Sequence, residues 1–241
     1  MTRYLKSAAC YGFLCLAFVA LSGQPAFAGV IFALGVLSGP PGSVIAAAFP
    51  LAASPNNDNA VTASPNFVAA GKTFAGLGFV DMQFAVDSSG GTTEYFVNEG
   101  VILGGVQNQT GVAWTGYNVE LGFGVGDEFV PSSPADLLDF DLPGADPTPT
   151  NTVFTTLNHQ GDRLTWTGGV LPHGGLMLAT FSIDVPDVSG GIPPSEIIST
   201  GYRFTVRQYA TPAAAPEPVT GMLLSLGLAA WAASRRVKHE R

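Results

Sequence analysis

Six carboxylates fall within twenty residues: Asp127, Glu128, Asp136, Asp139, Asp141 and Asp146. Pro131, Pro134, Pro143, Pro147 and Pro149 stiffen the same stretch, because each pyrrolidine ring fixes its φ. An oxygen-rich loop of this kind suits Ca2+, which takes about six to eight oxygen ligands in a flexible geometry. The spacing is not that of an EF-hand, since no glycine turn is followed at the required distance by a bidentate Glu. Calcium is therefore the only cofactor the loop suggests, a solvated acidic loop is the simpler expectation, and no metal ligand is assigned.

Other chemistry finds less support. His159, in Asn158-His159-Gln160-Gly161, and His173, in Pro172-His173-Gly174-Gly175, both read as turn residues. Zinc would need three protein ligands at close spacing, and no HExxH pair is present. A serine nucleophile would need a histidine beside it, and no Gly-x-Ser-x-Gly elbow occurs. A glycosidase needs two carboxylates across the scissile bond. Acids are so numerous that some such pair is unavoidable, and its presence decides nothing. Both cysteines, Cys10 and Cys15, fall in the first 28 residues, so the rest of the chain offers no thiolate. No catalytic residue is assigned, and the chain is not expected to be an enzyme.

Charge narrows the partners. The 241 residues carry 18 acids against 10 bases, a net charge of −8. Between Gly29 and Ala215 the bases are only Lys72, Arg163, Arg203 and Arg207, against sixteen acids, which leaves −12. Such a body is repelled by a phosphate backbone, which excludes nucleic acid as a partner.

The remaining bases sit at the two ends. Arg3 and Lys6 precede an apolar run from Ala8 to Leu21. Ser22 to Pro25 break it, and Ala26-Phe27-Ala28 supplies a small-x-small cleavage site. Segment 1–28 is read as a secretory signal peptide, cut after Ala28, which implies the Sec translocon and signal peptidase as partners. As helix the apolar run spans only about 21 Å, short of the roughly 30 Å hydrocarbon core.

At the other end, Pro216-Glu217-Pro218 leads into an uncharged run from Val219 to Ala233. Ser234-Arg235-Arg236-Val237-Lys238-His239-Glu240-Arg241 closes the chain. The expectation is a linker over 211–218, a short transmembrane helix over 219–234 and a basic cytoplasmic tail over 235–241. The positive-inside rule then places the body outside the cytoplasm. This tripartite tail resembles the PEP-CTERM sorting signal of exopolysaccharide-producing Gram-negative bacteria. The resemblance implies that Pro216, Glu217 and Pro218 are the motif read by exosortase, a membrane cysteine peptidase. It implies that Arg235, Arg236 and Lys238 act as the stop-transfer cluster. It further implies a precursor held at the inner membrane, then a protein passed to the cell surface or the exterior. Two prolines hold the backbone extended, where a protease can bind it. Glu240 and His239 make the cluster less purely arginine than in many such tails.

Positioning all of this is a body of strands. Tyr117, Val119, Leu121 and Phe123 alternate with Gly116, Asn118, Glu120 and Gly122, the period of a strand with one buried face. Met177 to Val185 and Tyr202 to Val206 repeat the pattern. Phe74 to Val86 reads as two apolar stretches broken at Asp81, and Thr93 to Val97 as a short strand ended by a turn at Asn98-Glu99-Gly100. Gly (30) and Pro (18) are too frequent for long helices. The fold class expected over 29–210 is all-β, an antiparallel β-sandwich of immunoglobulin-like or jelly-roll type. The stretch Ser54 to Asn59 reads as a long polar loop. Asn108-Gln109-Thr110-Gly111-Val112-Ala113-Trp114-Thr115-Gly116-Tyr117 resembles an Asn-x-Thr-Gly-x-x-Trp-x-x-Tyr segment of secreted β-sandwich domains that often carry this tail. It is read as scaffold, with Asn108 and Thr110 in a turn and Trp114 entering the core. The function expected is a non-catalytic exported surface or matrix protein associated with exopolysaccharide or biofilm. The alternative is a carbohydrate-binding or adhesin module, assisted by calcium.

Overall fold

Glycine, proline and β-branched residues recur too closely for helix to compete with strand. In the computed structural model, which describes residues 29–48, 66–87, 93–140, 148–186 and 191–214, there is no α-helix among the described residues. Three 3-10 turns, Val101–Leu103, Gly126–Glu128 and Pro194–Glu196, interrupt a run of strands. Several predicted features lie outside the described residues. They are the cleavage site at Ala26 and Ala28, the loop at 54–59, Asp141 and Asp146, the motif Pro216, Glu217 and Pro218, the apolar segment 219–234, and Arg235, Arg236 and Lys238. Among the described residues no helix is long and apolar enough to cross a membrane.

Along the chain come β1 (Val30–Ser38), β2 (Val44–Ala48), β3 (Phe67–Phe74), β4 (Val80–Asp87), β5 (Thr93–Glu99) and β6 (Val106–Asn108). Then follow β7 (Trp114–Phe123), β8 (Val130–Pro131), β9 (Asp139–Phe140), β10 (Thr150–Asn151), β11 (Thr156–Gln160) and β12 (Arg163–Thr167). The last are β13 (Leu176–Met177), β14 (Ala179–Val185), β15 (Ile197–Ile198) and β16 (Gly201–Pro212). They form two sheets. The first runs β1-β4-β16-β7-β12-β11, with β15 on β16 and β8 on β7. The second runs β10-β14-β5-β3-β6-β13, with β2 on β3 and β9 on β14.

The all-β expectation holds, but strict antiparallel pairing does not. β3 pairs parallel to β5 at Phe67↔Phe96 and parallel to β6 at Lys72↔Val106. The cause is the path of the chain: between β3 and β5 it crosses to the other sheet as β4 and returns, which supplies the crossover a parallel pair needs. β5 and β6 lie end to end along β3. The chain leaves at Glu99, turns through 100–105 and rejoins at Val106, with Gly105 N donating to Gly100 O at 2.8 Å and Lys72 N donating to Gly105 O at 2.8 Å. This excursion passes so close over Gly71 that a Cβ there would stand 1.9 Å from the Leu103 carbonyl oxygen.

The inner faces of both sheets share one buried cluster. Val68, Phe74, Tyr95, Val97, Phe181 and Ile183 come from one sheet; Met82, Phe84, Tyr117, Leu121, Trp166 and Phe204 come from the other. Phe74 meets Trp114 edge-on at 5.1 Å, and Trp166 lies 6.5 Å from Phe181. These aromatic contacts cross from sheet to sheet and fix how the faces stack. Several strand limits differ from expectation. The break after Phe74 falls at residues 75–79 rather than at Asp81, which lies inside β4. β5 runs on through Asn98 and Glu99, and β16 runs on through Thr211 and Pro212, the first two residues of the expected linker.

Candidate functional site

β7 is buried on both faces, not one: Asn118 and Glu120 are buried as well as Val119 and Leu121. The reason is a row of paired charges on the outer face of the first sheet. Register places Asp81 opposite Arg207, Arg207 opposite Glu120, and Glu120 opposite Arg163. Four neighbouring strands thus carry −, +, −, + in line, and opposite charges directly across a ladder attract. Arg207 Nε donates to Asp81 Oδ1 and Nη2 to Asp81 Oδ2, both at 2.7 Å. The guanidinium also lies between two rings, 4.3 Å from the Phe79 centroid and 3.9 Å from that of Phe129. Arg163 Nη2 donates to Glu120 Oε1 at 2.7 Å, and hydrogen bonding to that carboxylate pushes the Arg163 pKa up.

Where the row reaches β12 the surface opens into a cleft of about 310 Å3. Glu120, Pro131, Ser132, Gln160, Asp162 and Arg163 line it. Asp162 reaches it because β11 and β12 form a hairpin closed at Gln160↔Arg163, with Gly161 at φ +54°, the first central position of a type II′ turn. Burial lifts the Asp162 carboxyl from 3.8 to about 6, and the charges of Asp136 and Asp139 add to it while His159 opposes them. Burial also raises the Asp139 carboxyl, with His159 opposing and Asp136 assisting. Of the cleft's two carboxylates, Glu120 is held by Arg163. Tyr209, on β16 beside this row, makes an edge contact with half-exposed Phe79 at 5.2 Å, so an aromatic surface adjoins the charged one.

Four of the six clustered carboxylates are described, and the fold divides them between two places. Asp127 and Glu128 sit on the 3-10 turn that caps Arg207, through Gly126 N to Asp81 Oδ2 and Arg207 Nη2 to Gly126 O. Asp136 is buried, and its oxygens accept from Ser132 Oγ, Ser133 N and Oγ, and Leu138 N. Asp136 and Asp139 both stand close enough to Asp162 for their charges to raise its pKa. Among the described residues no group of three or more His, Cys, Asp or Glu is placed to hold a metal ion. His159 lies on β11 rather than in a turn, its Nε2 donating to Gly161 O at 2.6 Å. His173 does lie in a turn, and its Nδ1 accepts from Gly111 N at 3.1 Å.

The Asn108 segment is scaffold. Asn108 Oδ1 accepts from Thr110 N at 3.0 Å and from Thr110 Oγ1 at 2.7 Å, while Nδ2 donates to the Val112 and Leu171 carbonyls. Trp114 Nε1 donates to Thr110 Oγ1 at 3.0 Å, which satisfies the indole at the point where its ring enters the core. The strand starts at Trp114, three residues before the expected Tyr117.

Sequence reasoning missed a second constellation, which lies between the sheets. Lys72 on β3, Glu99 on β5, Tyr117 on β7 and Gln208 on β16 are all buried. Lys72 Nζ donates to Glu99 Oε1 and to Gln208 Oε1. Gln208 Nε2 donates to the same Glu99 oxygen. Tyr117 OH donates to Glu99 Oε2 at 3.1 Å and also to Gln208 Oε1. Burial lowers the Lys72 pKa against the opposing pull of Glu99, and burial joined by the Glu99 charge raises that of Tyr117. The signal was the inward phase of each strand. Lys72 continues Val68 and Ala70 toward Phe74, Glu99 continues Tyr95 and Val97, and Gln208 continues Phe204 and Val206.

Comparison of the chain with protein families, with curated proteins and with solved structures returns no match in any of the three.

Proposed function

We propose that this chain is a non-catalytic exported protein of the cell surface or extracellular matrix, carried out through the Sec translocon and released from the inner membrane by exosortase. The body over 29–210 is a β-sandwich of immunoglobulin-like or jelly-roll type, built to be displayed within an exopolysaccharide layer or biofilm. One observation carries this reading: Pro216-Glu217-Pro218, an uncharged run and an arginine-led cluster follow in that order at the end of the chain. The fold is compatible with it, because β16 ends at Pro212, with three residues between it and the motif. A cut beside Pro216 would leave every described strand intact. The test is replacement of Pro216, Glu217 and Pro218 by alanine in the native host. Export continues and the uncut precursor collects in the membrane fraction; processing as in wild type overturns the assignment.

A second reading, glycan binding or adhesion, is favoured by the cleft at Asp162. Its polar lining of Glu120, Ser132, Gln160, Asp162 and Arg163, with the Tyr209–Phe79 surface nearby, offers hydrogen bonds to hydroxyls and an apolar face to a sugar ring. Polysaccharide pull-down with wild type and Arg163→Ala, each with and without chelator, tests it. Retention lost in the variant supports the cleft, and retention lost with chelator supports assistance by calcium.

A further inference from the structure

A lysine, a carboxylate, a phenol and a carboxamide enclosed together are costly to bury, since ions taken out of water lose several kcal/mol of hydration each. A plain ion pair leaves that cost standing. The arrangement of hydrogen bonds suggests how the fold removes it. Glu99 Oε1 accepts from both nitrogens, Lys72 Nζ and Gln208 Nε2. Gln208 Oε1 accepts from both Lys72 Nζ and Tyr117 OH. The amine lies against the carboxamide, a carboxylate bridges the incoming and the departing nitrogen, and a hydroxyl donates to the oxygen on which charge would develop.

We propose that Lys72 and Gln208 become joined by an intramolecular isopeptide bond, with Glu99 as the proton shuttle and Tyr117 as the oxyanion donor. The step is a transamidation. Lys72 Nζ forms a bond to Gln208 Cδ, the Cδ–Nε2 bond breaks, one proton passes from Nζ through Glu99 to Nε2, and ammonia leaves. Nothing is oxidised or reduced, and no co-reactant is needed. Burial favours the uncharged amine, which is the nucleophilic form. Tyr117 serves the carbonyl oxygen as a positioned donor, the usual device for stabilising a tetrahedral intermediate.

The bond would span 136 residues of sequence and tie β16, the last strand among the described residues, to β3 in the opposite sheet. It is independent of the sorting assignment, since it follows from the interior and not from the tail.

The test is mass analysis of the purified full chain, unfolded in guanidinium and digested at Lys and Arg and at Glu. The expected product is a branched peptide joining the Lys72 and Gln208 segments, lighter than their sum by one ammonia, with no tryptic cleavage after Lys72. Linear peptides of unmodified mass, cut after Lys72, overturn the proposal. A branch from Lys72 to Glu99 with loss of water overturns the assignment to Gln208. Glu99→Gln should abolish the branch and Tyr117→Phe should slow its formation. A branch formed at the wild-type rate in Glu99→Gln overturns the shuttle. The wild-type measurement stands even where a variant does not fold.

Discussion

Asp162 shows how a single side chain makes stability depend on pH. Its carboxyl titrates near 6 in the folded protein and near 3.8 when unfolded, so the folded state binds the proton more tightly. The stabilisation it contributes is full below about pH 4 and is lost as pH rises through about 6. Asp162→Asn removes that dependence. Its Tm should match wild type at pH 4 and exceed it at pH 7, as read by thermal unfolding at the two values; equal Tm at pH 7 would show that the carboxyl is not raised. Asp81 and Arg207 pose the opposite case, a pair whose side chains are 2% and 7% exposed. Removing one partner strands a buried charge, so Asp81→Asn should cost about 3 kcal/mol in denaturant unfolding. The double variant Asp81→Leu with Arg207→Met should cost less than either single change, because no unpaired charge remains. Arg163 and Glu120, at 47% and 9% exposure, make the outer member of the same row, and Arg163→Ala should cost under about 1 kcal/mol.

At the scale of elements, the break between β5 and β6 is the least conventional feature, and it depends on Gly71. A Cβ at that position meets the Leu103 carbonyl oxygen at 1.9 Å, so Gly71→Ala must push the turn at 100–105 away from β3. Overpacking of this kind costs about 1–3 kcal/mol, and hydrogen exchange at Lys72 N and Gly105 N should quicken with it. Strand identity was legible from alternation, because a period of two survives wherever one face meets the core. The parallel pairings were not, since they depend on the chain visiting the opposite sheet between β3 and β5. The double burial of β7 was hidden as well. Asn118 and Glu120 read as solvent-facing by residue type, and only register reveals that Thr165 and Arg163 on one side, and Thr211 and Arg207 on the other, complete their polar contacts. The cluster at Lys72 was masked by the same habit, which assigns a charged residue to the surface. Its positions follow the inward phase of β3, β5 and β16, but alternation marks only β16 in advance; no strand is expected over 67–74, and Glu99 is expected in a turn.

At the scale of the molecule, the body carries an excess of acids, and burial decides which of its charges face solvent. Of the four bases between Gly29 and Ala215, Lys72 is enclosed between the sheets, Arg207 is buried against Asp81, and Arg203 is half-buried, which leaves Arg163 as the one exposed. Among the described residues Asp81, Glu94, Glu99, Glu120, Asp136 and Glu196 are buried as well, so the carboxylates that reach the surface are Asp87, Asp127, Glu128, Asp139, Asp162 and Asp184, still in excess of the bases and repelling one another. Two electrostatic effects compete when salt is added. Screening weakens the outer pair Arg163–Glu120, which is worth little, and weakens the repulsion among the acids that reach the surface. It scarcely touches Asp81–Arg207, because buried pairs are shielded from the ions. Repulsion should prevail. Raising NaCl from about 0.01 M to about 0.1 M shortens the Debye length from roughly 30 Å to roughly 10 Å, and Tm should rise. Arg163→Ala should show the same rise, since the row's inner pair does not depend on it. A fall in Tm with salt would mean that the alternating row on the first sheet, rather than the excess of acids, governs the electrostatics of the body.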